Sequence, residues 1–166
     1  MPDSPEYLAR IKALAADQDF MAVQRQTPAL LAELIAGVAD AKLRERPQPG
    51  KWSVGEVLAH LAEDELVTSW RYRQMLENAG APLASFDQDL WARAGQYGSW
   101  APQESLTMYR LLREANLRFL TALSPDDWQR HGVHAERGKI SIKDLARHMA
   151  GHDLNHAEQV RKILHP

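Results

Sequence analysis

Two histidines in the middle of an apolar helical stripe constrain this chain more than any other feature. The stretch His148-Met149-Ala150-Gly151-His152-Asp153-Leu154-Asn155-His156, with Gln159 just behind, reads as helix. Each helical residue turns by about 100°, so residues four apart are offset by only about 40°. His148, His152 and His156 therefore share one side, and Leu145, Met149, Val160 and Ile163 fall there too. His152 and His156 should point into a core. A buried imidazole needs hydrogen-bond partners, and a helix interior offers few. Two inward imidazoles one turn apart can hold one metal ion together. A pair of satisfied core histidines is the other reading, and two ligands do not complete a site.

The rest of the chain supplies helices to pack against that stripe. Tyr7 to Ala16 carries Tyr7, Leu8, Ile11, Leu14 and Ala15 at helical spacing and reads as a short amphipathic arm. Thr27-Pro28 looks like a cap residue followed by proline at a first helical position, before Leu30, Leu31, Leu34, Ile35 and Val38. Arg46-Pro47-Gln48-Pro49-Gly50 ends that helix. Ser53-Val54-Gly55-Glu56 is a capping box, with Trp52 and Val57 placed as a hydrophobic staple, and the helix it opens should run to about Glu77. A third long helix is expected from Pro102 to before Ser124-Pro125, with Met108, Leu112, Ala115, Phe119 and Leu123 as its stripe. Ser141-Ile142-Lys143-Asp144 opens the last helix, which should reach about Leu164.

Residues 79–101 form the longest irregular stretch, with Phe86, Trp91, Tyr97 and Trp100. So many aromatics should lie over the protein as an ordered loop, with a short helix at Asp87–Ala94. No stretch reads convincingly as strand. The expectation is an all-α protein, an antiparallel four-helix bundle with an N-terminal helical extension and a long ordered loop between the second and third bundle helices. The 166 residues suit one domain, 1–166, with the arm at 1–20 and the bundle at 27–166.

Composition narrows the function. The formal net charge is -2 and no long basic run occurs, which argues against nucleic-acid binding. There is no cysteine, so disulfides, thiolate ligands and a cysteine nucleophile are excluded. No apolar run approaches the roughly 20 residues that span a membrane. Met1-Pro2-Asp3-Ser4-Pro5-Glu6 lacks the features of a signal peptide, and a cytoplasmic protein is expected.

The second long helix carries His60 on the border of its apolar stripe, a position that also suits a surface histidine. Glu56 and Asp64 lie one turn either side of it, placed to accept a ring N–H or to form a solvated helix face. His131 and His134 read as surface or loop residues.

Two segments resemble the DinB/YfiT-like superfamily. Lys51-Trp52-Ser53-Val54-Gly55-Glu56-Val57-Leu58-Ala59-His60-Leu61 is similar to that family's second-helix signature. His148-Met149-Ala150-Gly151-His152-Asp153-Leu154-Asn155-His156-Ala157-Glu158-Gln159 is similar to its last-helix signature. The Pro49-Gly50 turn, Asp89-Leu90-Trp91-Ala92 and the Trp128 region also fit. The resemblance implies a four-helix bundle that binds one divalent metal ion, zinc or nickel, through His60, His152 and His156 at one end of the bundle. His148 is then an extra residue that orients a ligand, meets substrate or sits at the helix edge, and Gln159 a pocket residue. The resemblance further implies a metal-dependent transferase that activates a low-molecular-weight thiol against a small-molecule substrate. A metal-dependent hydrolase and a non-catalytic, stress-associated metal-binding protein are the alternatives. Related bundles pair through helix faces, so a homodimer is expected.

Overall fold

The computed structural model describes residues 4–165, so Met1, Pro2, Asp3 and Pro166 lie outside the described residues. The arm forms as expected: α1 runs Pro5–Leu14 and is capped by Ser4, whose hydroxyl accepts from Tyr7 N. The four long helices are α2 (Phe20–Ile35), α4 (Val54–Glu77), α6 (Pro102–Thr121) and α7 (Ile142–Leu164), with a short α3 (Asp40–Arg44) after α2 and a short α5 (Gln88–Ala94) after α4. Both capping boxes close. Ser53 N donates to Glu56 Oε2 at 2.8 Å and Glu56 N to Ser53 Oγ at 3.2 Å. At α7, Asp144 N donates to Ser141 Oγ at 3.0 Å and Ser141 N to Asp144 Oδ2 at 3.1 Å.

The first bundle helix differs from its expected boundaries. It opens at Asp19, whose carboxylate accepts from Met21 N and Ala22 N, so Thr27-Pro28 lies inside it. It stops at Ile35, ahead of Gly37 at φ +73°, and only α3 resumes before Arg46. An interior proline leaves the carbonyl four residues earlier without its N–H donor. That carbonyl belongs to Gln24, and Arg113 Nη1 donates to it at 3.1 Å. A side chain from another helix makes the hydrogen bond that Pro28 cannot.

The structure also contains strands where none were expected. β1 (Ala81–Leu83) pairs parallel with β2 (His131–His134), and β2 pairs antiparallel with β3 (Gly138–Ser141). Runs of three and four residues are too short to show alternation, and the β1–β2 pairing joins segments far apart in sequence. Gly132 is required at that pairing, since a Cβ there would stand 2.6 Å from Leu83 Cγ.

α4 packs on α6 and α7, and α2 packs on the same two helices, so α2 and α4 occupy one diagonal of the bundle and α6 and α7 the other. One apolar cluster (Leu31, Val54, Leu58, Tyr109, Val160) and a second (Tyr72, Met75, Leu120, Ile142, Leu145) fill its two halves. Between them each helix crosses a polar layer: Gln24 and Thr27 on α2, Glu65 and Thr68 on α4, Arg113 and Asn116 on α6, Asp153 on α7, all buried. α6 is accordingly turned from its expected orientation. Met108, Leu112, Ala115, Phe119 and Leu123 are only half-buried, while Leu106, Tyr109, Arg113, Asn116, Leu117 and Leu120 face inward.

Candidate metal centre

α7 places His152 and His156 one turn apart toward α4, and α4 brings His60 to meet them. All three are buried. One ring nitrogen from each lies within 4.8 Å of the other two. His60 Nε2 and His152 Nε2 are 3.2 Å apart, and the ring centroids are separated by 5.2 Å (60–152), 5.0 Å (60–156) and 4.4 Å (152–156). Trp52 lies against His60, with centroids 5.0 Å apart, and limits its movement.

The donor set suits a divalent ion. Two bare imidazole nitrogens facing each other repel unless a proton or a cation lies between them. Two nitrogens about 2.0–2.1 Å from a tetrahedral ion stand roughly 3.3–3.4 Å apart, close to the spacing of the His60–His152 pair. Burial, with the neighbouring His156, holds His60 well below the usual imidazole pKa. The same causes, with His60 added, hold His152 down. Burial lowers His156 to about 4 despite its bond to Gln159. All three are neutral at pH 7, the state in which imidazole ligates a metal.

The surrounding residues orient these rings. Gln159 Oε1 stands 2.8 Å from His156 Nδ1, which puts the proton on Nδ1 and leaves Nε2 as the donor to an ion. Asp64 Oδ2 lies 3.7 Å from His152 Nδ1. Burial raises the Asp64 carboxyl to about 7, opposed by the positive charge of Arg71. Glu56 is engaged elsewhere: it closes the α4 capping box and pairs with Arg46.

His60 and His152 line a cavity with room for the centres of only a few water molecules, about 50 Å³. Asp64, Arg71, Arg137 and His148 also line it, with Tyr7 of α1 and Phe86 of the 79–101 loop. The His148 ring lies 6.4 Å from that of His152, centroid to centroid. His134, expected at the surface, is buried on β2 and lines the same cavity, because the small sheet folds it beneath the loop; His131 stays half-exposed. Arg71 shares the His60 face of α4, about three turns on, whereas Arg137 and Tyr7 carried no signal as site residues, since they arrive from other elements. Gly151 explains how α1 reaches the site: a Cβ there would stand 2.1 Å from Ile11 O, so only glycine lets α1 lie against α7.

The family model described as the DinB superfamily matches residues 24–160. The chain belongs to the DinB superfamily. The match begins within α2, so α1 lies outside it. Among curated relatives is the "Putative metal-dependent hydrolase OB0782" of Oceanobacillus iheyensis, 26% identical over 137 residues, or 82% of this chain and 78% of the relative. The "Putative metal-dependent hydrolase YfiT" of Bacillus subtilis is 22% identical over 136 residues, 81% of this chain and 76% of YfiT. A solved structure, described as YfiT from Bacillus subtilis, "a probable metal-dependent hydrolase with an unusual four-helix bundle topology", superposes with a TM-score of 0.81 at 19% identity. It covers 96% of this chain and 87% of that one. At that identity the likeness establishes the fold, a four-helix bundle.

No helix among the described residues is long and apolar enough to cross a membrane.

Proposed function

We propose that this DinB-superfamily chain is a divalent-metal-dependent hydrolase acting on a small molecule. The observation that carries the reading is the convergence of three buried imidazoles within 4.8 Å, two of them lining a small cavity. His60, His152 and His156 hold the ion, and Gln159 fixes the tautomer of His156. Three protein ligands leave a coordination position open, as in catalytic rather than structural sites. A bound ion would supply Lewis acidity towards a substrate carbonyl and towards water. Asp64 lines the same cavity and takes the proton from the attacking water as general base. His148 borders the cavity as a substrate contact. Zinc and nickel are both suited to three imidazoles.

Thiol transfer is the second reading, favoured by Arg71 and Arg137 in the cavity, which suit the carboxylates of a low-molecular-weight thiol. The chain has no cysteine, so the thiol must come from a cosubstrate.

The test joins metal analysis to rate measurements on the full chain. The parent should carry one zinc or nickel ion and hydrolyse members of an ester and amide panel. His156→Ala should weaken metal binding by more than about 100-fold and abolish hydrolysis, since removing a ligand outweighs the 10–100-fold typical of its supporting residues. Asp64→Asn should keep the metal and lose about 10²–10⁴ in rate. Conjugation of glutathione, bacillithiol or mycothiol to a chloro-dinitrobenzene electrophile, without hydrolysis, would move the assignment to thiol transfer. A full complement of metal in His156→Ala would refute the three-histidine site.

A further inference from the structure

The cavity beside the three histidines is unevenly charged. Its wall carries two guanidiniums, Arg71 and Arg137, against a single carboxylate, Asp64, and no other Asp or Glu lines it among the described residues. Arg71 is buried on α4, about two turns beyond Asp64. Its Nη2 donates to Ala84 O at 2.6 Å, and its guanidinium carbon lies 5.9 Å from the centroid of the Phe86 ring. Those two contacts hold its plane in place. Arg137 comes from the turn between β2 and β3, and its Nε is closed off from solvent without a hydrogen-bond partner. The Arg137 side chain as a whole is half-buried, and a ligand oxygen gives its unpartnered Nε an acceptor. Both arginines line the cavity that Asp64 also lines.

We infer that Arg71 and Arg137 form a clamp for a carboxylate group carried by the small-molecule substrate. A guanidinium matches the planar carboxylate through paired N–H donors. The small volume suits a group of few atoms, with the rest of the substrate extending outward. The inference rests on the proposed metal site only in placing the clamped substrate next to a reacting centre. The clamp belongs to the arginines.

The test is calorimetric titration of the full chain, loaded with zinc, using succinate as probe, succinamide as its neutral counterpart and inorganic phosphate as the competing anion. Succinate should bind and succinamide should not. Arg137→Gln should weaken succinate by about tenfold or more, with zinc content and circular dichroism unchanged, and Arg137→Lys should recover part of the loss. Arg71→Gln should weaken it as well. Unchanged succinate affinity in Arg137→Gln would overturn the clamp, as would phosphate binding where succinate does not. The two readings fail separately. A parent that takes up no zinc yet binds succinate through Arg137 keeps the clamp and loses the metal site. A parent with one zinc and no Arg137-dependent succinate binding keeps the metal site and loses the clamp.

Discussion

His152 and Asp153 are neighbours in sequence and face two different interiors. Asp153 points into the polar layer at the middle of the bundle, where Arg113 Nη2 donates to its Oδ1 at 2.9 Å and Nη1 to its Oδ2. Tyr109 donates to Asp153 Oδ1 at 3.0 Å, Arg113 Nη2 to Glu65 Oε1 at 2.7 Å, and Asn116 Nδ2 to Glu65 Oε2 at 2.9 Å. With the bond to Gln24 O, this network ties α2, α4, α6 and α7 to one guanidinium. Only Arg113 Nε and Asn116 Oδ1 are left over. His152 faces the other way, toward His60 and His156, and there the chain's groups do not satisfy one another. The Nε2 atoms of His60 and His152 converge, while their Nδ1 atoms have no hydrogen-bond partner. Both regions are buried and polar. What separates them is closure: charges that answer each other hold helices together, and lone pairs aimed at one point form a site.

The largest effect should follow from breaking the closed region. Arg113→Met removes the single cation and leaves two buried carboxylates, so denaturant unfolding should show a loss of about 3–5 kcal/mol. A loss below about 1 kcal/mol would place this network with ordinary surface pairs and erase the contrast.

Acid should act on the open region. Burial holds all three imidazoles below 6.5, His156 at about 4. An unfolded chain takes up those protons near 6.5 and the folded chain does not. Between pH 6.5 and about 4 the unfolded state binds more protons, and stability falls as pH falls. Burial works in the opposite sense on Asp64, raised to about 7, and on Asp153, also raised. Asp64 keeps a proton in the folded state up to about pH 7 that the unfolded chain releases above the usual carboxyl range, so it adds stability on acidification, and Asp153, paired with Arg113, shifts in the same direction. The three imidazoles outweigh these carboxyls, so stability falls on balance as the pH drops through this window. Urea midpoints of chelated protein should decline from pH 6.5 to pH 5, and a flat profile would show that the cluster does not stay neutral.

A smaller effect is expected where neither region is touched. Gly151→Ala forces α1 away from α7, costing about 1–3 kcal/mol of steric strain, offset by about 1 kcal/mol of helix propensity. Tryptic cleavage at Arg10 and Lys12 in α1 should accelerate while metal content stays at the parent level. Loss of metal in this variant would show that α1 is part of the centre rather than its cover.

Much of this was legible in the chain. The capping boxes at Ser53 and Ser141, the loop helix after Asp87, and the inward facing of His152 and His156 all follow from local pattern, because caps and periodicity act within a few residues. Other features needed the folded whole. Pro28 reads as a helix start until Arg113 supplies the missing donor to Gln24. Arg113 and Asn116 fall outside the apolar stripe expected for α6, and only Glu65 and Asp153 standing opposite them account for their burial. The diagonal order of the helices, the strand that buries His134 and the sharing of one cavity by Arg71 and Arg137 have no local signature at all. Periodicity reports which residues avoid water on their own account. A buried charge is stabilised only by partners from distant segments, so its place is decided when those segments meet.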